Sequence, residues 1–156
     1  MQLKNFTSKE LEEKLAVTTD LVERIDILNE LAWKLNGTDT VRSLEIAKKA
    51  LEQSTQLNYL KGIANSRLVC GYCNLVLMNM EESILDGNKS FTLFNELNDP
   101  IGKIQSLNLL GACYFRTGEF EKSVTHLLSS LEKSEQIGYK LGIASASGNL
   151  GNIYSG

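Results

Sequence analysis

The feature that most constrains this chain is an internal period of 40 residues. Gly62, Gly102 and Gly142 are spaced by that interval, as are Gly71, Gly111 and Gly151, and Ser43, Ser83 and Ser123 keep the same register. The text around them agrees. Tyr59-Leu60-Lys61-Gly62-Ile63-Ala64 returns as Tyr139-Lys140-Leu141-Gly142-Ile143-Ala144, and Leu57, Leu97 and Ile137 share one apolar phase. A fixed period of this length belongs to stacked supersecondary units, each of which buries its apolar face only against its neighbours. The reading is an array over residues 19–156, with units 22–61, 62–101, 102–141 and a partial unit 142–156, preceded by a capping helix within residues 1–18.

Each unit reads as two helices joined by a short turn. In the third, Ile104, Leu107, Leu110 and Tyr114 recur at helical spacing, Thr117-Gly118 breaks the run, and Phe120, Val124, Leu127, Leu128 and Leu131 form a second apolar stripe. In the first, Ile25, Leu28, Leu31, Ala32 and Leu35 precede Gly37, and Leu44, Ala47, Ala50, Leu51 and Leu57 follow it. With one proline, Pro100, and no alternating strand pattern, the chain is all-α. Glycine inside a helix costs about 1 kcal/mol relative to alanine, so the glycines at one register imply close approach of the paired helix, where a Cβ would overpack. Leu31 fills the matching place in the first unit, which predicts a splayed or differently capped first hairpin.

The third unit, from Leu107-Asn108-Leu109-Leu110-Gly111 through Tyr114, Gly118, Phe120 and Ser123, resembles the tetratricopeptide repeat family. Gly148-Asn149-Leu150-Gly151-Asn152-Ile153-Tyr154 is similar to its Asn-rich subclass of roughly 40 residues, found in kinesin light chains and in N-terminal segments of bacterial signalling proteins. The resemblance covers residues 22–156 and implies a right-handed α-solenoid of stacked antiparallel helix pairs. The second unit departs from the pattern, with Asn74, Met78 and Met80 where Tyr114, Gly118 and Phe120 stand, and with Gly87 in its second helix. The first lacks the family glycine and tyrosine.

At the start, Thr7-Ser8-Lys9-Glu10 reads as a capping box, with Phe6 and Leu11 as a hydrophobic staple, so a helix over 7–17 should shield the first hairpin through Leu11 and Leu15. Asp20 and Asp99 read as N-caps, the latter with Pro100 in the first turn. At the other end, Leu150, Ile153 and Tyr154 are expected to lack a covering helix. That marks a fragment of a longer protein, or a face buried by a second copy in a homodimer.

Chemistry is sparse. A net charge of -3 gives no surplus of Lys and Arg for nucleic acid, the longest purely aliphatic run, Leu75-Val76-Leu77-Met78, is far short of a bilayer span, and Met1–Glu13 is too polar for a secretory signal. These point to a cytoplasmic chain with no membrane and no nucleic-acid partner. Cys70-Gly71-Tyr72-Cys73 is the one catalytic-looking arrangement, a thiol oxidoreductase as the alternative. Cys73 repeats at Cys113, however, which argues for packing. His126 stands alone and reads as a surface or partly buried side chain. No catalytic residue, metal site or cofactor is predicted.

Binding is predicted on the inner surface, which the first helices should line. The candidates, given by resemblance to the family's inner-face positions, are Asn65, Leu68 and Tyr72 in the second unit, Gln105, Asn108, Ala112 and Arg116 in the third, and Asn149 and Asn152 in the fourth. An asparagine amide offers donors and an acceptor to a peptide backbone, and Arg116 suits a carboxylate. The expected role is a protein- or peptide-binding scaffold. Its ligand would be a peptide of another protein or an effector domain of the same polypeptide, as in diguanylate cyclases, histidine kinases or transcription regulators with such arrays. Dimerisation through Leu150, Ile153 and Tyr154 is the competing role.

Overall fold

The computed structural model describes residues 2–156 and contains no strand among them. After a short 3-10 turn at Leu3–Asn5 come eight helices: α1 (Ser8–Val17), α2 (Leu21–Leu35), α3 (Thr40–Gln56), α4 (Leu60–Val76), α5 (Met80–Glu96), α6 (Pro100–Arg116), α7 (Phe120–Ile137) and α8 (Lys140–Ser155). Each packs on the next, giving hairpins α2–α3, α4–α5 and α6–α7 with α8 stacked on the last. The first helices also touch in sequence, α2 with α4, α4 with α6 and α6 with α8, whereas the second helices α3, α5 and α7 are not joined in this way. Because the layer of first helices is the tighter one, the α-solenoid curves around it, and their free faces form the inner surface.

The helix starts follow from local chemistry. Thr7 and Glu10 make both halves of the capping box, and Asp20 and Asp99 accept from Glu23 N and Gly102 N as predicted; Asp39 does the same for Arg42 N. Positive φ stops the helices at Asn58, Asn98 and Gly138 between hairpins and at Met78 and Gly118 within them. Asparagine and glycine tolerate that region, whereas methionine pays a steric cost. α1 does cap the array: Leu11 is buried with Ile27, Leu31 and Leu35, and Phe6 and Leu15 pack around it. Arg24 fastens its end by donating to Leu15 O and Thr18 O at 2.8 and 2.7 Å, and Glu12 pairs with Arg42 of α3.

Within each hairpin one serine hydroxyl stitches the pair. Ser83 donates to Gly71 O at 2.7 Å and Ser123 to Gly111 O at 2.6 Å. In the first hairpin Ser43 donates to Ala32 O at 2.6 Å, one residue later than the 40-residue spacing requires. Ala32 lies 11 residues before Ser43, whereas Gly71 and Gly111 lie 12 before Ser83 and Ser123, so the first hairpin has one residue fewer between these points and Ala32, not Leu31, takes the glycine's place. The expected splaying is therefore corrected: a small residue sits at the crossing and the first hairpin closes as the others do.

The glycines are tight. A Cβ on Gly111 would lie 2.5 Å from Leu127 Cδ2, one on Gly71 2.5 Å from Leu109 Cδ2, and one on Gly102 2.2 Å from the ring of Phe94. Gly151 has open space around it. The buried stripe of the second helices also differs from the aliphatic one expected. In α7 it is Ser123, Leu127, Ser130 and Ser134, while Phe120 and Leu128 are about half exposed; in α3 it is Ser43, Ala47, Ala50 and Ser54. Small side chains at these places let neighbouring helices approach closely.

Candidate functional site

The inner surface holds two hollows. The larger, about 810 Å³, runs from Leu3 and Trp33 past Asn65, Leu68 and Gln105 to Tyr139 and Leu141. The smaller, about 300 Å³, is lined by Tyr72, Leu75, Asn108, Ala112, Phe115, Arg116, Ser145, Asn149 and Asn152. All nine residues predicted for the inner face fall in one or the other, so the phase of the first helices brings them to a common surface. Tyr72 links the two: its ring meets Trp33 edge to face at 5.4 Å between centroids, and its hydroxyl donates to Gln105 O at 3.1 Å.

Their depth varies. Arg116 and Asn152 are exposed and Asn65, Tyr72, Gln105, Ala112 and Asn149 partly so, but Leu68 and Asn108 are only 3% and 4% exposed. Leu68 is a wall packed into the core with Ala64, Phe94 and Leu109. Arg116 Nη1 approaches Met78 Sδ at 3.2 Å, a weak acceptor that leaves the guanidinium's remaining donors for a ligand. Sequence reasoning missed Trp33, Tyr139 and Ser145. The one-residue shift of α2 concealed Trp33, which 40-residue arithmetic does not align with Tyr72.

The chemistry-bearing residues elsewhere are built into the packing. Cys70, Cys73 and Cys113 are buried and unpaired. Cys73 and Cys113 sit 3.2 and 3.0 Å from the hydroxyls of Ser43 and Ser83, the same contact in successive units. Burial pushes the Cys70 thiol up to about 12 and raises Cys73 and Cys113 as well. Thiol exchange needs a thiolate, which these environments disfavour. His126 is partly buried beside Tyr114, with Nδ1 2.7 Å from Lys122 O. No group of three or more His, Cys, Asp or Glu converges as a metal site among the described residues. No helix there is long and apolar enough to cross a membrane.

One pair position shows three chemistries. Leu35 and Ile46 pack together in the first hairpin, Asn74 donates to Asp86 Oδ2 at 3.2 Å in the second, and Tyr114 stacks obliquely on His126 in the third. Asp86 is also paired with Arg67 at 2.9 Å, yet desolvation outweighs that pairing and holds its carboxyl above the usual range. Buried polar groups survive only when bonded, and Asn79 completes this set by donating to Asn74 Oδ1 at 3.3 Å.

At the last helix the predicted contact set divides. Leu150 is 7% exposed, so it belongs to the packed side of α8 and is not an open contact residue; Tyr154 is 72% exposed and Ile153 intermediate. Helical phase explains the correction: Leu150 follows Leu110 and Cys70, which face inward in their units. Ile153 and Tyr154 border a third hollow of about 700 Å³ with Phe120, Val124 and His126.

Architecture and groove together define a helical-repeat protein with a mixed polar and apolar inner surface. Comparison with family models and with curated proteins finds no match for the chain.

Proposed function

We propose that this chain is a tetratricopeptide-type scaffold that holds an extended peptide along α2, α4, α6 and α8, in a cytoplasmic signalling setting. Binding rather than catalysis is its role. The peptide belongs either to a separate protein or to another domain of the same polypeptide, as in bacterial signalling proteins with such arrays. The observation that carries the reading is the convergence of Asn65, Gln105, Asn149, Asn152 and Arg116 on two hollows linked through Tyr72. Amides at intervals along a groove suit a backbone with alternating donors and acceptors, and aromatic and aliphatic walls suit its side chains.

The test is selection from a random pool of twelve-residue peptides, followed by titration of the selected binders. Asn149→Ala with Arg116→Ala should weaken them about tenfold or more. Unchanged affinity in the double variant removes the groove as the site.

A second reading has its own observation. α8 leaves Gly148 and Gly151 in open space and exposes Leu141 and Tyr154 by 73% and 72%, the kind of face on which two copies could pair. Light scattering separates the readings: a dimer that dissociates in Tyr154→Lys supports pairing, and a monomer at all concentrations excludes it.

A further inference from the structure

Each first helix presents one comparable rung to the groove. With α2 shifted by one position, that rung is Trp33 in α2, Tyr72 in α4, Ala112 in α6 and Asn152 in α8. Trp33 and Tyr72 form an aromatic ladder with centroids 5.4 Å apart. The ladder stops at Ala112, which has no ring to continue it, and the space beside Tyr72 is the hollow of about 300 Å³. Tyr72, Leu75 and Phe115 give it apolar walls, Asn108, Asn149 and Asn152 give it amides, and Arg116 is the charged residue among its lining.

A second observation lies at the edge of the same place. Asn108 lines the hollow at 4% exposure, and its Oδ1 has no hydrogen-bond partner. Asn29 holds the equivalent rung in α2 and shows what is missing: it donates to Gly62 O at 3.2 Å and accepts from Ser66 Oγ at 2.9 Å. Two units further on, the place of Ser66 is taken by Ala146, fully buried and without a hydroxyl. A buried acceptor left unmet is costly, and a donor brought by a ligand removes that cost.

We propose that this hollow is a side-chain pocket for an aromatic residue of an extended peptide, with the ring beside Tyr72 on the rung that Ala112 leaves empty and a peptide N–H donating to Asn108 once its buried amide turns toward the hollow. The proposal rests on the inner surface being a peptide site. A ring continues the edge-to-face ladder, which an aliphatic side chain cannot do. An acidic side chain would meet Arg116 but would leave water against three apolar walls.

The probes are N-acetyl-phenylalaninamide, N-acetyl-leucinamide and N-acetyl-aspartamide, titrated into the isotope-labelled full chain by NMR. In parallel, twelve-residue peptide pools carry Phe, Leu or Asp fixed at the central position. The phenylalanine probe should shift the amide signals of Asn108, Ala112 and Asn149 and bind roughly fivefold or more tightly than the leucine probe. Ala112→Phe, which fills the rung, should abolish that preference, and Ala112→Ser should keep it. Ala146→Ser, which supplies a donor to Asn108 from outside the hollow, should weaken the phenylalanine probe severalfold, so the idea stays testable if Ala112→Phe unfolds. Pools that bind without preferring Phe, or a preference that survives Ala112→Phe, overturn the pocket and leave the groove. Pools that do not bind at all overturn both.

Discussion

Replacing Gly111 and Gly151 by alanine, one at a time, sets the same substitution at the same repeat position in two surroundings. At Gly111 the new Cβ would stand 2.5 Å from Leu127 Cδ2 and 2.6 Å from its Cγ, about 1 Å inside ordinary carbon contact. Leu127 is fully buried, and a Cγ clash is not cleared by turning the end of the side chain, so the helices must separate or the leucine must leave its rotamer. Such overpacking costs about 1 to 3 kcal/mol, against which alanine returns about 1 kcal/mol of helix propensity. Gly111→Ala should therefore destabilise by roughly 0 to 2 kcal/mol. Gly151 has nothing within contact range, so Gly151→Ala should keep the gain of up to about 1 kcal/mol. The two variants should differ by about 1 to 3 kcal/mol, a Tm separation of roughly 2 to 12 °C for a chain of this size. Thermal melts followed by circular dichroism at matched concentration give the difference. Equal stabilisation by both substitutions would refute the reasoning, because it would mean that α6 and α7 do not meet at Gly111.

Met78→Gly should stabilise by about 1 kcal/mol, since methionine there is held at φ 65° where a side chain is strained; a urea midpoint that falls instead would show that its contact with Arg116 matters more. Ala146→Ser should raise the urea midpoint by the equivalent of about 1 kcal/mol by giving Asn108 Oδ1 a donor, and no change would mean that the acceptor is already satisfied by water. Asp86 is expected to shape the pH dependence. Its native carboxyl is raised above the unfolded value by burial, so its contribution is fully present below the unfolded pKa and is lost as pH rises through the native one. Asp86→Asn should therefore gain stability relative to the parent as pH rises from below the unfolded carboxylate value through the raised native one, and a relative loss over that window would show that the Arg67 pair dominates.

Much of this fold is legible because local chemistry and periodicity agree. The 40-residue glycine registers, Gly151 apart, mark crossings where a Cβ does not fit, and Thr7, Asp20 and Asp99 cap the helices that they precede. What escaped the sequence depends on one turn and on small residues. The one residue fewer between Ala32 and Ser43 than between Gly71 and Ser83 moves Ala32 and Trp33 onto the rungs of Gly71 and Tyr72, a displacement that a constant interval hides. Ser43, Ser83 and Ser123 stand out in the sequence by their register, but a hydropathy pattern does not rank serine as core, although here each is fully buried and donates to a carbonyl of the facing helix. At the groove, helical phase was enough to gather the nine candidates, but depth was not: whether Asn108 is open or buried depends on what α8 places over it. The orphaned acceptor exists because Ala146 is not serine, a pairing visible only once Asn29 and Ser66 are seen in contact.

The most direct test of the binding account is an NMR titration of the labelled chain with the random twelve-residue peptide pool, read residue by residue. Saturable shifts should gather on α2, α4, α6 and α8, at Asn65, Gln105, Arg116 and Asn149, and should leave Lys48, Asn88 and Leu128 on the second helices unmoved. Shifts centred on α3, α5 and α7, or no saturable shift anywhere, would contradict it.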